Sequence, residues 1–226
     1  MNIAIINSTT VKDFALSQLQ QVSEVDIIIF AFGVTGDVDL ARELNGESKT
    51  YAELVLLSLT KNCIVIAGMD TNFFGIKHKS TVVIQNGHIL DINDMVHCFD
   101  QVYEKGKGFK VYDTDKGKLG IIIHNDILYP ETSRLLAVCD CDLLITLIDQ
   151  GLPRDCMVMA RSASLSNGVC NVCSEPHSSY LCDQNGAVQY YSKKSFMQID
   201  FERQKDNTML KSRQKDKYKE IFSNFL

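Results

Sequence analysis

"VYDTDKGKLGIIIHNDILYPETSRLLAVCDCDLLI", residues 111–145, decides the fold. Two short runs meet at Asp115-Lys116-Gly117, which marks a hairpin. "GIIIH" closes the second run with a continuous apolar stretch, the pattern of a strand buried on both faces. A turn follows, and Pro130 opens a helix over "PETSRLLAVCD", since its fixed φ suits a first helical position. "CDLLITLID" (141–149) is the next buried strand. A strand that turns sharply into a helix presents one side chain at its tip, and here that side chain is His124.

The flanking sequence repeats this alternation. "NIAIIN" (2–7), "VDIIIFAFG" (25–33) and "CIVIAGMD" (63–70) read as buried strands. Thr9 or Thr10 is placed to cap a helix with Phe14, Leu16, Leu19 and Val22 on its apolar side, and "KTYAELVLLSLTKN" (49–62) is an amphipathic helix. "STVVIQNGHILDI" (80–92) is a hairpin turning at Asn86-Gly87. A helix over 153–167 precedes "GVCNVCSE", "SSYLCDQNGAVQYYS" and "SFMQIDF". Residues 202–226 read as a charged, helical C-terminal tail with apolar positions at Met209, Tyr218, Ile221 and Phe222. Residues 1–226 carry no short repeat, low-complexity segment or linker, so one layered α/β domain is expected.

Composition narrows the function classes. The 226 residues are 45% hydrophobic and 23% charged, enough for a sizeable core. The net charge of −5 argues against a nucleic-acid partner, although residues 201–226 alone carry +3. No apolar run reaches the ~20 residues that cross a bilayer, and the first thirty residues lack the basic lead of an export signal. The eight cysteines are therefore expected as reduced, mostly buried thiols of a cytoplasmic chain.

Five pieces, in order, resemble the nitrilase, or carbon–nitrogen hydrolase, superfamily. "VDIIIFAFGVTG" resembles its strand ending in Phe-Pro-Glu followed by Thr-Gly. "CIVIAGMDTNFFGIKHKSTVVIQNGHILDINDMVHCFD" resembles its long hairpin leading to Lys-x-His-Leu-Phe. Residues 111–145 resemble its Cys-Tyr-Asp-x-x-Phe-Pro-Glu elbow, "MARSASLSNGVCNVCSE" its late helix and strand, and "SSYLCDQNGAVQYYS" its closing hairpin. The resemblance implies a four-layer α-β-β-α sandwich and pairing of two subunits through helices. It also implies acyl transfer from an amide or nitrile, with a cysteine nucleophile, a glutamate base and a lysine that stabilises the oxyanion.

The carry-over keeps the scaffold and loses the chemistry. Thr35, Gly36, His97, Phe99, Asp126, Pro130 and Glu131 match, but the glutamate position is Phe32, the lysine position Met95 and the cysteine position His124. Without a thiolate no thioester forms, and losing members of such a unit removes nearly all rate. The expectation is a homodimeric pseudoenzyme without cofactors, acting in binding or assembly. Its small-molecule pocket would centre on His124, Asn125, Asp126 and His97. The connections near "HCFD" and after "LITLID" are brief and the chain has no Trp, so a truncated pocket is expected.

Alternatives stay open. A second reading is a divergent C–N hydrolase with His124 as its base or nucleophile. Cys170, Cys173, His177 and Cys182 have the spacing of a zinc knuckle, but Cys170 and Cys173 fall on opposite faces of a strand, and the flanks match a pattern without metal. Cys139 and Cys141 share a face, but two thiols alone make a poor metal site. "GESKT" (46–50) lacks phosphate-loop spacing and reads as a loop in which Ser48 or Thr50 caps a helix. The basic tail reads as a solvated helix face.

Overall fold

The computed structural model describes residues 1–7, 11, 22, 24–99, 101–152, 155–202 and 212. The helix expected after Thr9 or Thr10 and the tail expected over 202–226 lie, but for single residues, outside them.

The chain builds two mixed sheets. The strands of the first are β1 (Asn2–Ile6), β2 (Ile27–Phe30), β3 (Asp37–Asp39), β4 (Ile64–Phe73), β5 (Ile76–Gln85), β6 (His88–Asp94) and β13 (Phe196–Asp200). Their order is β13-β1-β2-β4-β5-β6, with β3 on the end of β4. The second sheet runs β12 (Val188–Ser192), β11 (Ser178–Cys182), β10 (Cys170–Glu175), β9 (Leu143–Leu147), β8 (Gly117–Ile123), β7 (Val111–Thr114). Central strands β1, β2 and β4 are parallel, as are β8, β9 and β10. Their near-continuous Ile, Val and Leu runs are what a strand covered on both faces requires.

Alternation of side chains across each strand divides the core into layers. Ile3, Ile5, Ile27, Ile29, Ile64 and Ile66 meet Leu119, Ile121, Leu143, Ile145 and Val172 between the sheets. Ile28, Val65 and Ile84 face the other way, against Leu54 and Leu57 of α2 (Thr50–Lys61). Leu144 and Ile122 face Leu136 of α3 (Pro130–Val138) and Ala163 of α4 (Cys156–Asn167). The result is the α-β-β-α sandwich. Each fully buried Ile or Leu contributes about 1.5–3 kcal/mol.

Local chemistry adjusts several expected boundaries. Asp155 accepts from the Met157 and Val158 amides, so α4 starts at Cys156 rather than at 153. Neither Ser48 nor Thr50 caps α2. The Glu43 carboxylate of α1 (Leu40–Leu44) accepts from the Thr50 and Tyr51 amides, and the Ser48 hydroxyl donates to Glu43 instead. The Asn86-Gly87 turn forms as expected, with both residues at positive φ. A second such turn, Phe74-Gly75, joins β4 to β5, where Asn72 Oδ1 accepts the Gly75 N–H at 2.8 Å.

Candidate functional site

The site lies where β2, β4 and β5 of one sheet approach the ends of β8 and β9 of the other. Phe32 follows β2 and is 7% exposed, and Met95 follows β6 and is 2% exposed. Both belong to the apolar layer between the sheets. Phe32 fits because residue 68 is glycine: a Cβ there would sit 3.0 Å from the ring.

His124 directly follows β8 and opens a tight helical turn, His124–Leu128, that leads to α3. Its φ is +45°, the left-handed region, so the elbow is strained by about 1–2 kcal/mol. The ring is buried, and its Nδ1 accepts the Asp149 backbone N–H at 3.2 Å. A backbone N–H can only donate, so in neutral His124 the proton is on Nε2.

Asp126 and His97 form a separate tie. Asp126 accepts from the Val96 amide at 3.2 Å and from the His97 amide and Nδ1 at 2.8 Å each. Burial pushes the Asp126 carboxyl above the usual range, against those donors. The His97 ring stacks on Tyr129 with centroids 3.6 Å apart and lies 5.7 Å from Phe109. This tie fastens the segment after β6 to the elbow, next to buried Asn125.

One residue that sequence reading did not single out joins the three positions. Lys79, on β5, is 4% exposed. Its ammonium bonds Asp70 Oδ1 at 2.8 Å and Asp149 Oδ2 at 2.6 Å. It lies 4.8 Å from the centroid of the Phe32 ring and 4.8 Å from that of Tyr103. The Met95 amide donates to the Lys79 carbonyl at 2.8 Å, and Asp149 also holds His124. Although burial opposes the charge, the two carboxylates raise the Lys79 pKa above its ordinary value. The Tyr103 hydroxyl donates to Asp70 Oδ2 at 2.6 Å, and burial with that carboxylate pushes its pKa to about 12. The signal in the sequence was faint: Lys79 stands just before the apolar run "STVVI", and Lys77, two residues earlier on the same strand, reads no differently.

Described residues line cavities on two sides of the sheets. One of about 410 Å³ shares Asp149 and is lined by Ile148, Asp155, Cys156, Glu175 and His177. The other, about 860 Å³ and mainly apolar, lies between α1, α2 and the β4–β6 edge, and its lining includes none of the Lys79 cluster. The zinc-spaced residues are parted: Cys170 joins the layer between the sheets, Cys173 and Cys182 pack with Tyr180 and Ala160, and His177 is exposed. Among the described residues no group of His, Cys, Asp or Glu is arranged to hold a metal ion. Burial raises the thiol pKa of Cys170 to about 11 and of Cys182 to about 12. No described helix is long and apolar enough to cross a membrane.

Comparison with known proteins agrees with this architecture. Residues 25–188 match the carbon-nitrogen hydrolase family. A probable nitrilase of Schizosaccharomyces pombe is 29% identical over 110 residues, which cover 46% of this chain and 40% of that protein. The chain thus spans about two fifths of the curated relative it matches. A carbon-nitrogen hydrolase from Helicobacter pylori superposes with a TM-score of 0.74 at 17% identity, over 98% of each chain. An amidase from Nesterenkonia sp. gives 0.74 at 12% identity, over 100% of this chain and 96% of that one. Saccharomyces cerevisiae Nit3, of branch 10 of the nitrilase superfamily, gives 0.74 at 15% identity, over 88% and 90%. At those identities the likeness is one of fold, and the sequence match carries the family: the chain belongs to the carbon-nitrogen hydrolase family.

Proposed function

We propose that this protein is a pseudoenzyme of its family, a binding or assembly module in which Phe32, Met95 and His124 stand at the vestigial triad positions. One observation carries the reading. The region where a carboxylate, an ammonium and a thiolate would act on an amide is held by the Lys79 cluster, with Phe32 as one wall. Phe32 takes no proton and Met95 bears no charge, so neither general-base nor oxyanion chemistry is supplied from those positions.

The competing reading is a divergent hydrolase of a small amide that uses His124. Attack or proton abstraction needs a free imidazole lone pair. In neutral His124 the Nδ1 lone pair accepts the Asp149 N–H, and Nε2 carries the proton. That arrangement suits a positioned donor, not a base.

Two features support the binding role. The cavity of about 410 Å³ beside Asp149 is sized for a small polar ligand. Val158 and Leu165, seven residues apart on α4, are 56% and 53% exposed with Arg161 and Ser162 on the turn between them, a mixed helix face offered for pairing two copies in the cytoplasm.

Ammonia release by the purified protein against small amides, nitriles and N-carbamoyl compounds, with His124→Ala as control, tests the reading. No turnover from either protein is expected. Turnover that disappears in the variant makes His124 a catalytic residue and overturns it. Light scattering at micromolar concentration tests the dimer, which fails at one subunit mass.

A further inference from the structure

The surroundings of the Lys79 ammonium resemble a ligand site more than a surface ion pair. Two carboxylates bond it at 2.8 and 2.6 Å, and two aromatic ring centroids lie 4.8 Å away. Carboxylates combined with ring faces are how proteins recognise alkylammonium ions, because each ring face is electron-rich and excludes water. Here the ammonium belongs to the chain itself. We propose that Phe32, Asp70, Tyr103 and Asp149 form an alkylammonium cage, and that Lys79 is its built-in ligand, which keeps other cations out.

Each wall has a hold apart from the lysine. Phe32 packs on the Gly68 backbone. Tyr103 is fixed through its hydroxyl on Asp70 Oδ2 at 2.6 Å, and Asp149 Oδ1 accepts the Gln150 N–H at 2.7 Å. Asp70 sits on β4 directly across from Lys79 on β5, so the strand pairing aims both into the same space. The walls come from β4 and from three connecting segments, after β2, after β6 and after β9, whereas the occupant is a single side chain. Asp70 and Asp149 side chains are 27% and 30% exposed, against 4% for Lys79, so the cage has a solvent side through which a replacement cation enters. With the lysine stem removed, the cage carries two carboxylates and no cation, and its chemistry selects a linear primary ammonium of matching length.

The experiment is a transplant of the missing group. In Lys79→Ala, n-propylammonium supplies the carbons and nitrogen that the substitution removes. Thermal melts are recorded against n-propylammonium chloride, with n-propanol and potassium chloride as neutral and ionic controls. The expected result is a saturable rise of several degrees for the variant with the ammonium, little with either control, and no rise for the wild type. An equal response to propanol or potassium chloride, an equal response by the wild type, or no response overturns the cage. Should Lys79→Ala not fold, the wild type decides. With ¹⁵N-labelled lysine, Lys79 should give ε-methylene protons shifted upfield by the two rings and ammonium protons slow to exchange. Ordinary solvent-exposed lysine shifts overturn the cage.

The inference rests on the reading of Phe32 as a wall rather than a lost acid, yet the two fail separately. Ammonia release with cation rescue overturns the pseudoenzyme alone. Inactivity without cation rescue overturns the cage alone.

Discussion

The ammonium of Lys79 lies over the ring of Phe32, 4.8 Å from its centroid, and the two residues come from β5 and from the end of β2. A cation and an aromatic face therefore meet at the position that the proposed reading aligns with the family's glutamate. Lys79 lets the phenylalanine share this space with Asp70 and Asp149, because its ammonium compensates both carboxylates while its other side meets the ring face.

Lys79→Met should be among the most damaging conservative changes, because it leaves Asp70 and Asp149 facing each other without a cation. A loss of about 3 kcal/mol is expected, the lower end for a broken buried pair since both carboxylates keep some solvent. In a chain of this size that is a fall of roughly 10 °C in the melting midpoint. Adding Asp70→Asn and Asp149→Asn should recover most of it. A single variant within about 1 °C of wild type shows the cluster to be energetically idle.

Alkaline stability should separate the same two proteins. The folded Lys79 pKa is raised above its ordinary 10.5, so the native state binds the proton more tightly than the unfolded chain. This contribution is complete below pH 10.5 and is lost as pH climbs through the folded value. The gap between wild type and Lys79→Met in urea melts should narrow above about pH 10.5. A gap constant to pH 12 contradicts the linkage.

His124→Gly should be more stable than His124→Ala. Both lose the same ring and the same bond to the Asp149 amide, but only alanine still pays for a φ of +45°. The expected difference is about 1 kcal/mol, readable in chemical denaturation. Equal midpoints mean that the elbow relaxes when the imidazole leaves.

Gly68→Ala should cost about 1–3 kcal/mol by pressing a methyl into the Phe32 ring. In a Phe32→Ala background the same change should cost little, because the obstacle is gone. A double-mutant cycle reads this coupling directly, and additive penalties within about 0.5 kcal/mol would place the strain elsewhere.

Thiol labelling should be strongly divided. Cys139 is exposed, whereas Cys63, Cys141, Cys156, Cys170, Cys173 and Cys182 are buried. Burial raises the thiols of Cys63 and Cys156 to about 12 and of Cys173 well above its ordinary value. A disulfide reagent at pH 8 should modify Cys139 quickly and the buried set only on denaturation, when all eight react. Rapid native labelling beyond Cys139 and Cys98 would show the core to be open.

The sequence by itself determined the layers. Runs such as "DIIIF" and "LLITL" bury both faces of a strand, "ELVLLSLTK" buries one face of a helix, and Asn86-Gly87 closes a hairpin because asparagine and glycine accept positive φ. These signals are local, so they read directly, as did Pro130 and His124 at the elbow. The Phe74-Gly75 turn was hidden, since phenylalanine is a poor turn residue and Asn72 supports it only once the chain has turned. The helix cap at Glu43 was hidden for the same reason: it reaches forward to Thr50 from a different helix.

Only the tertiary structure decided the site. Lys79 is separated from Asp149 by seventy residues, from Phe32 by forty-seven and from Tyr103 by twenty-four, and no periodicity relates them. In the sequence, the family resemblance pointed to Phe32, Met95 and His124 and to nothing around them. Folding brought a lysine, two aspartates and a tyrosine into the same space, because the antiparallel β4–β5 pair sets Lys79 opposite Asp70 within reach of Asp149 after β9, and a buried charge is stable only where partners converge.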